Sequence, residues 1–140
     1  LVYAEDAVHE GDFESMSVLT KKNPKTLVTG DDMLVTNASM VRKAVSYGAC
    51  SGAILKVNQA GSLYDAMTFA EECKKNDIKI ITSHRSGEAV DSHISHIAIA
   101  TDSKMLKSGV LGGERVAKLN ELVRLLEYDL IEGMAELSST

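Results

Sequence analysis

The sequence predicts an α/β fold in which about five parallel strands alternate with helices. Three observations predict it. Five short apolar runs each end in polar residues: Glu5-Asp6, Asp31-Asp32, Lys56, His84-Arg85 and Lys107. Those ends recur at intervals of 26, 25, 28 and 23 residues, with helix-spaced apolar residues between them. The run at 52–55, Gly-Ala-Ile-Leu, is nearly unbroken in apolarity, as a parallel strand buried on both faces requires. A five-stranded doubly wound sheet would fit 140 residues, but its ligand residues gather at a switch point after one or two strands. Here every strand end is polar. That favours a partial TIM-type (β/α) barrel, whose site draws on several strands, over the doubly wound alternative.

The elements follow in order. Residues 1–4 form a strand. Asp12 caps a helix over 13–22, with Phe13, Met16, Leu19 and Thr20 on one side, and Pro24 helps to end it. Residues 26–29 are the second strand. A loop over 33–37 leads to a helix over 38–47 carrying Met40, Val41, Ala44 and Val45, stopped by Gly48. After the third strand at 52–55, Ser62 and Asp65 mark the start of a helix with Leu63, Ala66, Met67, Ala70 and Cys73 at helical spacing. The fourth strand is 78–83. A helix over 90–98 follows, although Val90, Ile94, Ile97 and Ile99 also suit a strand. The fifth strand is short, 105–107. The clearest helix spans 114–127, with Val116, Leu119, Leu122, Val123 and Leu126 as its apolar stripe. No Gly/Ser-rich linker interrupts residues 1–140, which read as one unit.

Composition narrows the partners. Net charge is −5 with no basic patch, which argues against nucleic acid. No apolar stretch approaches the roughly 18 residues of a membrane span, and no secretory signal is visible. Cys50 and Cys73 lack metal-type spacing and read as small apolar side chains in a reducing, cytoplasmic compartment. The chain opens on strand residues, as if inside a fold.

The strand ends carry the chemistry. Glu5, Asp6, Asp31 and Asp32 put up to four carboxylates on one rim. Oxygen donors suit a hard cation such as Mg²⁺, and the same acids also suit turns and helix N-termini. Lys56 ends a buried run, where an amine can serve as a base or simply reach back to solvent. His84-Arg85-Ser86-Gly87-Glu88 joins a guanidinium fork to a hydroxyl, a pairing suited to phosphate, with a histidine for proton transfer. Lys107 adds a cation. Gly109, Gly112 and Gly113 precede a helix and read as a tight turn or a weak anion site.

These segments resemble the C-terminal barrel region of the enolase (phosphopyruvate hydratase) family. The resemblance rests on Gly30-Asp31-Asp32 with Val35-Thr36-Asn37, Leu55-Lys56-Val57-Asn58-Gln59 and Ser83-His84-Arg85-Ser86-Gly87-Glu88. Leu106-Lys107-Ser108-Gly109 and the stretch from Glu114 to Asn120 extend it, so it runs from about Val2 to Glu127. Gly112-Gly113-Glu114 is similar to archaeal-type members. Ala7, Ala89 and Ser108 depart from the family pattern, which leaves the core assignments standing.

The resemblance implies roles. Glu5 and Asp31 match carboxylates that bind catalytic Mg²⁺. Lys56 matches the base that takes the C2 proton of 2-phosphoglycerate, and His84 a histidine near the leaving hydroxyl. Arg85 and Ser86 match phosphate contacts, and Lys107 the lysine that meets the substrate carboxylate. The activity implied is dehydration of 2-phosphoglycerate to phosphoenolpyruvate, a lyase reaction of glycolysis and gluconeogenesis. It also implies a missing N-terminal half: a capping domain, the first barrel strands, one more metal ligand, a glutamate acid and closing loops. The isolated chain is then expected to be inactive. Its uncovered edges call for that missing half or for self-association into a homo-oligomer. The alternative is a truncated or degenerate relative that serves as a non-catalytic binding or assembly module.

Overall fold

The structure is a computed structural model that describes residues 1–136. Its strands are β1 (Tyr3–Glu5), β2 (Leu27–Gly30), β3 (Gly52–Leu55), β4 (Lys79–Ser83) and β5 (Met105–Lys107). Its helices are α1 (Phe13–Lys22), α2 (Ala38–Tyr47), α3 (Val57–Ala60), α4 (Leu63–Lys75), α5 (His93–Ala100) and α6 (Gly113–Glu127). The strands lie side by side in chain order and every pair is parallel. The expected parallel βα order is therefore present.

Local chemistry places the helix starts. The Asp12 side chain accepts from the Ser15 amide at 2.9 Å, and the Ser62 hydroxyl accepts from the Asp65 amide at 3.0 Å. Asn37, which the sequence did not single out as a cap, accepts from the Ser39 amide at 2.8 Å. Gly48 ends α2 at φ 64, a left-handed conformation natural to glycine.

The register makes a half-barrel of the sheet. Glu5 pairs across to Thr29, then Gly52, then Lys79. The β4–β5 offset continues that row to Ser103, so Lys107 lies four residues beyond it after four strand steps. One residue of stagger per strand is the stagger of an eight-stranded barrel with shear 8. It brings Glu5 and Lys107 to one level. In a flat sheet β1 and β5 would lie about 19 Å apart. Curvature instead lets Lys107 Nζ reach both Glu5 carboxylate oxygens at 2.7 Å.

The core fills the layer between β2–β4 and helices α1–α4. Phe13, Met16, Val28, Val41, Leu55 and Phe69 belong to it. All four residues of β3 are buried, as its unbroken apolar run predicts. The flanks are thinner. β1 is only half-buried, and β5 ends exposed at Lys107.

Several expectations need correction. The stripe predicted on α6 is not a core stripe: Val123 is 51% and Leu126 40% exposed. Among α6 residues the buried ones are Leu125 and Lys118. The reason is position: α6 lies beyond the last strand, and α5 is its main helical neighbour. The helix expected over 90–98 begins only at His93, and the ambiguity with strand resolves to helix. A short helix, α3, follows Lys56 where none was predicted. β1 starts two residues later than expected and includes Glu5. Cys50 and Cys73 are free and buried, and burial pushes their thiols up to about 11 and about 12. Among the described residues no helix is long and apolar enough to cross a membrane.

Candidate functional site

The C-terminal ends of all five strands share one rim, with acids on the β1–β2 side and cations on the β3–β5 side. Asp31 follows β2 directly. Its amide donates to Asp6 Oδ1 and the Asp32 amide to Asp6 Oδ2, both at 2.9 Å. Both Asp6 oxygens thus brace the loop backbone. Asp31 Oδ2 accepts from Lys56 Nζ at 2.5 Å. Asp31 Oδ1 is buried and has no hydrogen-bond partner among the described residues. Burial pushes the Asp31 carboxyl above its ordinary value, with Lys56 opposing and Glu5 and Asp32 adding to the rise.

Glu5 is held differently. Lys107 and the Tyr3 hydroxyl both donate to its carboxylate. Burial works to raise this carboxyl, but those donors outweigh it and hold it below the usual range. The Tyr3 phenol is pushed up, first by burial and then by Glu5.

Lys56 is the extended residue that precedes α3, and its direction is set by the loop that follows β2. The Lys56 amide donates to Thr36 Oγ1 at 3.0 Å, and that hydroxyl donates to Gln59 Oε1 at 2.8 Å. Thr36 is buried. Val35 and Thr36 have φ 44 and φ 50, uncommon for β-branched residues. Such strain persists only where the surroundings over-determine it, and it clusters at functional sites.

His84 spans two loops. The Gly109 amide donates to Nε2 at 3.4 Å, which leaves Nδ1 to donate to the Arg85 carbonyl at 2.9 Å. Those contacts match the tautomer that carries its proton at Nδ1. Arg85 and Ser86 are exposed, and Arg85 makes no ion pair among the described residues. Lys56, His84, Arg85, Ser86, Lys107 and Arg115 line one open cleft of about 480 Å³.

The structure therefore gathers Lys56, His84, Arg85, Ser86 and Lys107 on one cleft, with Glu5 and Asp31 reached through Lys107 and Lys56. The tightest acid group is Asp6, Asp31 and Asp32, whose ligand atoms lie within 4.8 Å of one another. The donor set fits a hard cation because Asp31 Oδ1 is a buried carboxylate oxygen without a partner. Sequence reasoning missed Thr36 as the support of Lys56, although the quoted Val35-Thr36-Asn37 segment contained it. It also missed Arg115, which reaches the cleft from the first turn of α6 and carried no separate signal.

Known proteins share this sequence pattern. The family described as "Enolase, C-terminal TIM barrel domain" matches residues 1–135. The enolase of Archaeoglobus fulgidus is 43% identical over 127 residues, covering 91% of this chain and 32% of that protein. That of Halobacterium salinarum is 44% identical over 128 residues, covering 91% and 32%. That of Methanosphaera stadtmanae is 44% identical over 136 residues, covering 96% and 33%. The chain spans about a third of the length of the curated relatives it matches.

Proposed function

We propose that this chain, which belongs to the enolase C-terminal TIM-barrel family, carries the proton-abstracting and anion-binding part of a phosphopyruvate hydratase site. The observation that carries the reading is the single cleft lined by Lys56, Arg85, Ser86 and Lys107 beside a cluster of three aspartates whose central member, Asp31, is buried. The substrate is 2-phosphoglycerate, which has a phosphate, a carboxylate and a weakly acidic carbon between them.

Arg85 and Ser86 bind the phosphate, the guanidinium through its planar fork and the hydroxyl as a further donor. Arg85 is suited to this because no carboxylate of the described residues occupies it. Lys107 leaves Glu5 to meet the substrate carboxylate. Lys56, once its contact with Asp31 opens, presents Nζ to the C2 proton and removes it as general base. Thr36 fixes the backbone from which that amine projects. His84 stands beside the leaving hydroxyl. Asp31 and Glu5 would hold Mg²⁺, with Asp31 Oδ1 the oxygen free to do so. When bound, Mg²⁺ offsets the negative charge that develops on the substrate carboxylate as C2 loses its proton. A lysine base working with Mg²⁺ is the general pattern of the enolase superfamily; the family resemblance supports the assignment to Lys56, Asp31 and Glu5, as does the contact of Lys56 with Asp31 at the rim.

Among the described residues Lys56 is the proposed base and none is assigned as the acid for the departing hydroxide, and the cleft is open to water. The chain is accordingly expected to exchange the C2 proton more readily than to complete the elimination. The test is nuclear magnetic resonance of 2-phosphoglycerate in D₂O with Mg²⁺ and the protein. Deuterium should enter C2, and Lys56→Ala should abolish that exchange. Exchange that persists in Lys56→Ala would overturn the assignment of the base.

A further inference from the structure

Lys118 is the one buried charged side chain at the outer end of the described fold that the site does not use. Its side chain is 0% exposed, in the middle of α6. A buried ammonium is costly unless paired and hydrogen-bonded. Here Nζ donates to the carbonyls of Ala89 at 2.8 Å and Asp91 at 2.9 Å. Glu88 Oε2 stands 3.5 Å away and Asp91 Oδ1 3.7 Å. The same residue is gripped from behind: the buried Ser95 hydroxyl of α5 donates to its carbonyl at 2.8 Å.

All the groups that face the ammonium lie on 88–91, the second half of the loop that begins with His84-Arg85-Ser86. That loop is otherwise thinly attached. Arg85, Ser86, Gly87, Ala89 and Val90 are exposed, and Gly87 sits at φ 78 with open space around it. Its near end follows the buried strand β4 directly: the Ser83 hydroxyl donates to the His84 carbonyl at 2.9 Å, and the His84 ring meets the Arg85 carbonyl at 2.9 Å and the Gly109 amide at 3.4 Å. The far end is tied by Lys118. With β4 fixing the near end and Lys118 the far end, only a short stretch of chain across Arg85, Ser86 and Gly87 is free, so the far anchor limits where the pair can stand.

We infer that Lys118 is a positioning residue for phosphate recognition: it pins the 88–91 segment to α6 and thereby sets where Arg85 and Ser86 stand. The inference rests on the proposed phosphate role of that pair. It explains why an amphipathic helix spends a buried position on a lysine rather than a leucine. Lys118 touches no substrate; it acts through the loop backbone.

The test combines amide hydrogen exchange with calorimetric titration of inorganic phosphate in the presence of Mg²⁺, on the wild type, Lys118→Met and Ser95→Ala. Met keeps most of the volume and removes the donors. It should raise exchange rates across 86–91 and the phosphate Kd by about tenfold or more, the cost of one to two hydrogen bonds. Ser95→Ala breaks the α5–α6 side of the same residue, so it should lower thermal stability while leaving loop exchange and phosphate affinity near wild type. Unchanged loop exchange and unchanged Kd in Lys118→Met would overturn the inference. So would equal losses in the two variants, which would mark Lys118 as part of general packing. If Lys118→Met does not fold, the wild type decides alone. Amides 88–91 should then open together with the central turns of α6, and independent opening overturns the inference. If the wild type binds no phosphate, the reading of Arg85 and Ser86 fails, while the exchange data still decide whether Lys118 holds the loop.

Discussion

The centre of this sheet and its two flanks are built on different physics. β2, β3 and β4 are buried nearly throughout and packed against α1–α4. β1 and β5 are short and half-covered, and α6 is mostly half-buried or exposed, with only Lys118 and Leu125 buried. Yet Glu5 and Lys107, two of the candidate ligand groups, come from those flanks and meet across the mouth of the half-barrel. Lys56 and Asp31, the other pair, rise from the centre and are almost wholly buried. The centre thus carries stability, the proposed base and the proposed phosphate contacts, whereas the flanks carry the proposed carboxylate-binding lysine and a proposed metal ligand on a lighter frame.

That contrast breaks most visibly under core truncation. Phe69→Ala, in the middle of α4, should cost about 3–5 kcal/mol in denaturant unfolding. Leu126→Ala on α6, 40% exposed, should cost about 1 kcal/mol or less. Similar losses at the two positions would mean that the flank is as tightly packed as the centre.

At the rim, Asp31→Asn should weaken Mg²⁺ binding by about tenfold or more and abolish any rise in thermal midpoint that Mg²⁺ gives the wild type. Titration calorimetry reads the first and a thermal scan the second. In the same central loop, Val35→Gly should raise stability by about 1 kcal/mol, because glycine tolerates the positive φ that valine holds under strain. Urea midpoints measure it, and a loss instead would show that the Val35 side chain offsets the strain.

The cross-mouth pair should matter little to stability. Lys107 and Glu5 side chains are 47% and 22% exposed, so Lys107→Ala should cost under about 1 kcal/mol, less in high salt. A larger, salt-independent loss would make the flanks depend on this pair. The smallest effect is on α6. The Arg124 guanidinium holds the Glu121 carboxyl down at about 2, with His96 adding to it. A folded value below the unfolded one adds stability above the ordinary carboxylate range and loses it as pH falls. The opening free energy of α6, read from exchange rates corrected for their intrinsic pH dependence, should therefore fall between about pH 4.5 and pH 2, and Glu121→Gln should flatten that fall.

The same division governed what could be read from the chain. Gly52-Ala53-Ile54-Leu55 announced a doubly covered strand because burial on both faces leaves no polar position. Lys56 and His84-Arg85-Ser86 stood out because polar groups at the end of such a strand are conspicuous. On α6 the apolar spacing was real, but spacing cannot say whether a partner layer exists. Val123 and Leu126 are consequently exposed and Lys118 is buried. Asp6 was legible as a carboxylate but not as a clamp on two amides, since its partners lie 25 and 26 residues away. Thr36 was invisible as a support for the same reason: its hydroxyl meets the Lys56 amide across 20 residues.

A cation cleft and an acid cluster that form one binding site should bind anion and metal together. The most direct test is calorimetric titration of 2-phosphoglycerate with and without Mg²⁺, on the wild type, Arg85→Ala and Asp31→Asn. Mg²⁺ should tighten binding by about tenfold or more in the wild type. Asp31→Asn should remove that gain, and Arg85→Ala should weaken binding under both conditions. Binding of 2-phosphoglycerate that ignores both Mg²⁺ and Arg85 would contradict a single joint site.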